Sequence, residues 1–335
     1  MQIDYVIRSF DDFDQESKCM AAYDQEYRQL SKGRFRGVYQ AIHMGPELTF
    51  HFEQNNRVLE QNGVTPNDQY TIIFLLNEGV PSRLNGRTFS HEDLYICGPQ
   101  STFDTVGHHD QWGLDEGLSG PHFVAISVQR SYFEAEIMAA DPTCDPAHML
   151  NGAGLWLTGG NRVRTLRRGV SRLLGDVRRA RRVDERAAPS IRARTTEFLA
   201  HHLRSMVPPT PDAHLLSWSR PYRLVARARE LMEDARDTDV SIGSLCRDLG
   251  VSRRTVEYCF RDEVGLSPVA YMRSLKLHRV RRALMTPENA DRSIGDLAAE
   301  AGFWHTSRFS AYYRDQFGEL PSRTRMAGAG SLRQA

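Results

Sequence analysis

The chain has 335 residues, which is long for one domain and enough for two. Its net charge of +1 conceals an asymmetry, because residues 220–335 carry 20 Lys and Arg against 15 Asp and Glu, while the rest has an acidic excess. The five scattered cysteines exclude a disulfide framework and a CxxC zinc site, and no apolar run is long enough to span a membrane. No signal-peptide pattern opens the chain, so we expect a cytoplasmic protein with no membrane partner.

Residues 1 to about 135 are predicted to be rich in β-strands. Short runs of strand-forming residues at 37–42, 48–52 and 70–76 are separated by turn signals. Within 48–53, alternation predicts one apolar face and one polar face, the latter formed by Thr49, His51 and Glu53. This pattern predicts a cupin-like or jelly-roll-like sandwich and places the whole chain in the α+β class.

Residues 136–207 are predicted to be helical and to complete an effector-sensing or dimerisation domain at 1–207. One apolar stripe recurs at steps of three and four, opposite a face rich in arginine. Its candidate dimerisation residues are Leu166, Val170, Leu173 and Val177. Three alternatives remain at this stage: helices that cap the strand-rich core, helices that dimerise, and an arginine face that binds nucleic acid.

The start of that arginine-rich helix is a candidate site for an anionic effector. A Gly-Gly turn precedes Asn161, and the candidate phosphate ligands are Arg162, Arg164 and Arg168. A cyclic dinucleotide is one ligand of this class. The alternative is an Asn cap after a Gly-Gly turn, with the arginines in solvent.

A proline-rich stretch at 208–219 is a stiff linker and marks the domain boundary. Residues 220–326 form the second domain, and the Gly- and Ala-containing tail at 327–335 is predicted to be disordered.

Two helix-turn-helix patterns repeat within residues 220–326. Ser241-Ile242-Gly243 recurs 52 residues later as Ser293-Ile294-Gly295, and Gly250 and Gly302 keep the same offset. Each serine is a predicted N-cap and each later glycine a tight turn. A helix at 268–285 joins the two units and spans about 27 Å, near the roughly 34 Å between successive major-groove faces.

The outward N-terminal edges of the two second helices are the predicted contacts with double-stranded DNA. The groove-reading candidates are Arg253, Arg254, Thr255, Glu257, Tyr258, His305, Thr306, Ser307, Arg308 and Ser310. The phosphate-binding candidates are Ser252, Lys276 and Arg281.

The remaining polar clusters do not form a convincing catalytic or metal site. His43, Glu47 and His51 lack the His-x-His spacing of metal-binding cupins, and the adjacent pairs at 108–109 and 201–202 have diverging side chains. No P-loop, nucleophile elbow or dinucleotide-binding motif occurs. We therefore expect no metal, no cofactor, no catalytic residue and no enzymatic activity.

With two units in register, residues 220–326 resemble the AraC/XylS family of transcription regulators. The segment Gly302-Phe303-Trp304-His305 to Phe317, and more faintly 26–37, looks like the ethanolamine-operon regulators of that family. The resemblance implies a seven-helix bipartite DNA-binding domain, usually activating, beneath an effector or dimerisation domain. Ala311 departs from the family, where many members carry a longer polar residue.

The expected function is therefore sequence-specific DNA binding by a regulator, most simply an activator. Its expected partners are double-stranded DNA, a small-molecule effector such as an amine or cyclic dinucleotide, a second copy of the chain and RNA polymerase. One alternative is a constitutive regulator whose N-terminal half only dimerises. The other is a cupin-like enzyme fused to a DNA-binding domain.

Overall fold

A computed structural model describes residues 3–77, 82–107, 122–140, 142, 154–158, 160–180, 219–234 and 240–331. The strands are β1 Ile3–Phe10, β2 Asp24–Gln29, β3 Gly37–Met44, β4 Leu48–Asn55, β5 Leu59–Val64, β6 Gln69–Leu75, β7 Ser82–Leu84, β8 Arg87–Phe89, β9 Asp93–Cys97, β10 Thr102–Gly107, β11 His122–Gln129 and β12 Leu155–Thr158. The α-helices are α1 Phe13–Ser17, α2 Arg130–Ala140, α3 Gly160–Ala180, α4 Arg220–Asp234, α5 Ile242–Leu249, α6 Arg253–Val264, α7 Pro268–Met285, α8 Ile294–Glu300, α9 Thr306–Phe317 and α10 Pro321–Ser331.

The N-terminal strands form two antiparallel sheets packed face to face. The larger has seven strands in the order β1-β3-β4-β11-β6-β9-β12, and the smaller has five in the order β2-β5-β10-β7-β8. Hairpin neighbours pair in register, for example Ile42 with Phe50 across β3 and β4. The predicted β-rich sandwich and the α+β class are confirmed.

The apolar stripe of α3 covers the outer face of the seven-stranded sheet. Leu166 and Val170 are almost fully buried in the same cluster as Phe50 and Phe52. Leu173 and Val177 belong to that cluster too, so all four predicted dimerisation residues pack inside their own chain. That prediction is wrong for the stripe, because an amphipathic helix buries its apolar face on the sheet that its own chain provides.

The polar face of β4 is also buried, contrary to the simple alternation of the sequence. His51 and Glu53 point between the two sheets, where they lie across from Ala41 and Tyr39 on β3. The sandwich is therefore a three-layer arrangement of helices, large sheet and small sheet, and its second interface is partly polar.

One strand lies within the segment predicted to be helical. β12 pairs with β9, joining Trp156 to Tyr95, so the stretch 136–207 is not helical throughout. Leu-Trp-Leu-Thr is a short segment of strand-forming residues. Its strand signal is hidden when a longer stretch of the sequence is judged by helical periodicity. Residues 181–207 of the segment predicted to be helical and nearly all of the predicted linker fall outside the described residues.

The C-terminal helices begin and end where their cap residues predict. Ser241, Ser252 and Ser293 accept hydrogen bonds from backbone N–H groups one turn into their helices. Gly250 and Gly318 adopt left-handed backbone angles, with φ of 63° and 70°. The predicted helix-turn-helix pairs and the joining helix are confirmed.

The last helix, α10, continues to Ser331, past the predicted start of a disordered tail at 327. Gly328 faces α7, and a Cβ there would lie 3.1 Å from the Cα of Met285. The small residues that predict disorder instead permit close packing of two helices. No described helix is long and apolar enough to cross a membrane.

Candidate nucleic-acid interface and interior cavity

The first candidate recognition helix, α6, presents a polar N-terminal half. Val256 and Phe260 are fully buried on one side, while Arg254 is exposed on the other and Tyr258 is 64% exposed. Arg253 donates from Nε to Glu257 Oε1 at 3.0 Å, which holds both side chains at the surface. The predicted groove contacts of this helix therefore lie together on one accessible edge, with Thr255 half-buried among them.

The second candidate, α9, repeats the arrangement. Phe309 and Tyr313 are fully buried, and the exposed predicted contacts are His305, Thr306, Ser307 and Arg308, with Ser310 half-buried. Trp304 immediately precedes them, is 76% exposed, and is absent from the predicted contacts. Its position between the Gly302 turn and the start of α9 is a sequence signal from which its exposure beside the predicted contacts could have been expected.

The predicted phosphate contacts separate into different environments. Ser252 is exposed and caps α6, so its own side chain oxygen already accepts from the Thr255 N–H. Lys276 is half-buried on α7.

The third phosphate candidate, Arg281, is only 5% exposed, and its assignment to DNA is wrong. Its guanidinium pairs with Asp12 Oδ2 at 2.6 Å and with Glu319 Oε1 at 3.2 Å. The sequence of an arginine-rich helix does not indicate which of its arginines face a second domain.

A buried ionic network joins the five-stranded sheet to the helical domain. Arg229 of α4 pairs with Glu60 Oε1 of β5 at 2.7 Å and with Asp104 Oδ2 of β10 at 2.5 Å. Arg28 of β2 reaches Glu60 Oε2 at 3.3 Å, and Tyr271 of α7 donates to the same carboxylate. Burial disfavours the charge on Arg229, but Asp104 and Glu60 more than offset it and hold its pKa well above the ordinary value.

The five-stranded sheet and the loop that follows β2 contact the C-terminal ends of both candidate recognition helices. Near α6, Arg83 Nη2 lies 3.0 Å from Asp262 Oδ2. Near α9, the Gly33 N–H donates to the carbonyl of Asp315 at 3.0 Å, and Gln29 Nε2 donates to the carbonyl of Gln316 at 2.7 Å. The N-terminal domain thus bridges the two helix-turn-helix units and leaves their predicted DNA-contacting ends exposed.

The other face of the five-stranded sheet lines a cavity between the sheets. The cavity is small, and part of it opens to solvent. Its wall is mostly apolar, with a few polar groups that include Tyr23, Tyr27, His51, Glu53 and Gln61. A concave apolar space with a few convergent polar groups is the usual form of a small-molecule site.

Glu53 is the acidic group on the cavity wall. Tyr27 donates to its Oε1 at 2.5 Å and Gln61 Nε2 to its Oε2 at 3.4 Å. Burial raises the pKa of Glu53 to about 7, although these two hydrogen bonds lower it. Nearby, burial and then Glu53 raise the pKa of Glu16 well above its ordinary value. Sequence reasoning missed both carboxylates, because only the packing of the two sheets brings them together.

The histidines of the β3–β4 hairpin take structural hydrogen bonds. His51 Nδ1 lies 2.7 Å from Tyr39 Oη and its Nε2 3.1 Å from Ser127 Oγ, while His43 bonds to Thr49. Within the described ranges, no three His, Cys, Asp or Glu side chains are grouped so that they could hold a metal ion.

The candidate anionic site at the start of α3 lies on the protein surface. Arg164 and Arg168 are exposed, and Arg164 Nη2 donates to Asn161 Oδ1 at 2.8 Å. The side chain of Arg162 lies outside the described residues. Asn161 lies in the first turn of α3, which begins at Gly160, and is likewise exposed to solvent.

Residues 245–327 match a family model described as a helix-turn-helix domain. The chain is 29% identical over 139 residues to XylDLEGF operon transcriptional activator 1 of Pseudomonas putida, over 42% of this chain and 41% of that one. It is 36% identical over 98 residues to activator 3 of the same operon and organism, over 29% of this chain and 30% of that one. The helical domain thus matches a helix-turn-helix family model and is similar in sequence to these transcriptional activators. The matched region thus spans less than half of each of these relatives.

Two solved structures resemble the chain more broadly but weakly. The AraC-like transcriptional activator CuxR aligns over 82% of this chain and 94% of its own, with 14% identity and a TM-score of 0.41. ToxT of Vibrio cholerae O395 aligns over 91% and 98%, with 12% identity and a TM-score of 0.29. Within the described residues, α6 and α9 are the second helices of the two helix-turn-helix units.

Proposed function

We propose that this protein is a sequence-specific transcription activator of the AraC/XylS type, in which α6 and α9 read successive major grooves of duplex DNA. The observation that carries the proposal is that α6 and α9 both have a polar, exposed N-terminal half and are both held at their C-terminal ends by the N-terminal domain. Arg308 suits bidentate contact with guanine, and Arg253 and Arg254 suit bases or phosphates. Tyr258, Thr306 and Ser307 complete the proposed readout.

The N-terminal domain is proposed to sense a small-molecule effector in the cavity between its sheets. The five-stranded sheet lies between that cavity and the DNA-binding domain, and adjacent residues of its strands face opposite ways. On β5, Gln61 lines the cavity and Glu60 binds Arg229. A ligand that displaces this sheet would therefore move both helix-turn-helix units.

The proposed partners of the whole protein follow from this role. They are double-stranded DNA, the effector, RNA polymerase and a second copy of the chain, and the place of action is the cytoplasm. Because the α3 stripe is buried, dimerisation is proposed through another surface. We also propose that the protein belongs to the subgroup of ethanolamine-operon regulators. A further proposed site, for an anionic effector, is at Arg164 and Arg168.

The test is selection of binding sites from random duplex DNA by the full-length protein. We expect one enriched sequence with two half-sites about 10–10.5 base pairs apart, because that spacing presents two major-groove faces on one side of the duplex. Transcription by purified RNA polymerase from a promoter that carries the site should increase when the protein is added. No enriched sequence, or an enriched site without any effect on transcription, would contradict the proposal.

A further inference from the structure

We infer that the cavity between the two sheets takes a small organic monocation, an alkylammonium whose charged group pairs with the Glu53 carboxylate. The inference rests on the proposed function, since it names the class of effector for the proposed sensing domain. It is carried by the position of Glu53 on the cavity wall and by the absence of a cation beside it among the described residues.

The partners of Glu53 are all neutral. Tyr27 and Gln61 each donate one hydrogen bond to it, and Glu53 appears in none of the ion pairs of the described chain. A buried carboxylate is ordinarily paired with a cation or coordinated to a metal. Glu53 thus retains the capacity to accept hydrogen bonds from a charged ligand.

A second carboxyl group lies beside this one. Glu16 is fully buried, and neither of its oxygens has a hydrogen-bond partner. Gly37 makes room for it, since a Cβ at that position would lie 2.4 Å from Glu16 Oε2. Two acidic groups therefore share one interior region, which favours a positive charge there.

The face of the five-stranded sheet that is turned away from the cavity provides an internal comparison. Glu60 is fully buried and the Asp104 side chain is 11% exposed, yet each is bonded to the guanidinium of Arg229. Within the described part of the chain, cations therefore pair with the carboxylates that face the DNA-binding domain, and none pairs with Glu53. The difference points to a ligand as the missing cation.

The rest of the wall suits the organic part of such a ligand and disfavours an anion. His51 is neutral because burial lowers its pKa to about 3, so it offers no positive charge. Met20, Ile73 and Phe103 provide apolar surface, and Tyr23 and Tyr27 place aromatic rings near the carboxylate. Aromatic faces attract ammonium groups and alkyl chains alike.

Binding must release a proton when Glu53 is protonated beforehand. The ammonium keeps its own protons, the Glu53 carboxyl gives its proton to solvent, and the ion pair remains. Because burial raises the pKa of Glu53 to about 7, this release is expected between pH 6 and 7 and should fade at pH 8. Tyr23, Tyr27 and His51 are the other titratable groups on the described cavity wall. Outside the wall, Glu16, Cys19 and Tyr39 interact electrostatically with Glu53, and Arg8 acts on Cys19 and Tyr39.

The test is isothermal titration calorimetry of the full-length protein with n-butylammonium, n-butanol and butyrate. We expect butylammonium to bind at least about tenfold more tightly than butanol, because it alone forms a charged hydrogen bond, and butyrate to bind least. At pH 6.5 the butylammonium heat should depend on the ionisation enthalpy of the buffer. Glu53→Gln should reduce butylammonium affinity to that of butanol, whereas Glu92→Gln, at an exposed position of the same domain, should leave it unchanged.

Equal affinity of the wild-type protein for butylammonium and butanol would overturn the inference without any variant, and so would tighter binding of butyrate. Retained butylammonium affinity in a folded Glu53→Gln protein would overturn it as well. Affinity for selected DNA, measured on the same samples, separates this inference from the proposed function. Loss of ammonium selectivity with intact sequence-specific DNA binding refutes only the ligand class, while absent DNA binding refutes the regulator.

Discussion

Glu60 and Gln61 are neighbours on one strand, yet Glu60 binds the DNA-binding domain while Gln61 binds Glu53 in the interior cavity. The same alternation occurs on β10, where Asp104 bonds to Arg229 and Thr105 Oγ1 donates to Gln61 Oε1 at 2.9 Å. A single layer of β-sheet therefore separates the proposed effector cavity from the helical domain. A ligand that displaced this layer would act on the helical domain directly, without a flexible linker.

Glu60→Gln should strongly destabilise the native protein. The substitution leaves Arg28 and Arg229 in a buried site without the carboxylate between them, and removal of one partner of a buried pair costs about 3–5 kcal/mol. Urea denaturation measures the change, with Glu92→Gln as the exposed control. A loss below about 1 kcal/mol, the scale of a surface pair, would indicate that solvent screens the network.

Arg308→Ala should relax specificity at a single base pair of a selected site. A bidentate arginine–guanine contact discriminates by about 1–3 kcal/mol, so the variant should bind the substituted and original sites almost equally. Fluorescence anisotropy with single-base variants of the site provides the measurement. If Arg308→Ala weakens binding to every variant by the same factor, Arg308 contacts phosphate instead.

Arg254→Ala and Arg281→Ala should differ in how salt affects DNA binding. Arg254 is exposed on α6, and loss of one phosphate contact reduces the salt slope by about 1. Arg281 is buried against Asp12, so its removal should lower the free energy of unfolding and leave the slope unchanged. Titrations from 50 to 300 mM salt, a range of about sixfold chosen to resolve that slope, would contradict the buried assignment if Arg281→Ala flattened it.

Glu53 should make the protein less stable as pH rises from about 4.5 to 7. Its pKa is about 7 in the folded chain and 4.5 ordinarily, so the folded state binds more protons in this window and loses that advantage at higher pH. His51 contributes the opposite slope, because its folded pKa of about 3 costs stability below its ordinary 6.5.

The difference between wild type and Glu53→Gln isolates the carboxyl group from the histidine. Between pH 4.5 and 7 the wild type should lose roughly 3 kcal/mol relative to the variant, measured by urea denaturation. Glu92→Gln is the control, since an exposed carboxyl should not create such a slope. A difference that stays constant with pH would mean that Glu53 is ionised throughout.

Gly318→Ala should be more harmful than Gly250→Ala. Both glycines are left-handed, which costs an alanine about 1–2 kcal/mol. A Cβ at Gly250 meets nothing within 4 Å, whereas one at Gly318 would lie 2.5 Å from the backbone N of Arg34. Hydrogen exchange should therefore accelerate at residues 29–36 in Gly318→Ala alone. Equal exchange in the two variants would contradict the close domain contact.

The helical domain could be predicted from sequence because its signals are local. Serine caps, left-handed glycines and Pro268 fix helix ends within a few residues of themselves, and these boundaries are confirmed. The domain junction could not be predicted, since Gln29 and Gln316 are separated by 287 positions and no periodicity marks their contact.

The errors within the N-terminal domain have a common physical origin. Alternation along β4 separates two faces but does not reveal that a second sheet buries the polar one, which carries His51 and Glu53. Likewise, the stripe around Val170 identifies a buried helix face without identifying what buries it. Arg281 is the corresponding case on α7, where its positive charge alone predicted a contact with DNA phosphate.

Because the N-terminal domain contacts the C-terminal ends of both α6 and α9, we expect the proposed regulator to hold these helices at a fixed rotation relative to each other around the DNA axis. One added base pair between two half-sites turns the second by about 36° around the duplex axis and shifts it along that axis. The joining helix α7 alone could swivel to follow such a change. The contacts at Arg83 and Gly33 should resist it, so we expect half-site spacing to be part of what the proposed regulator recognises.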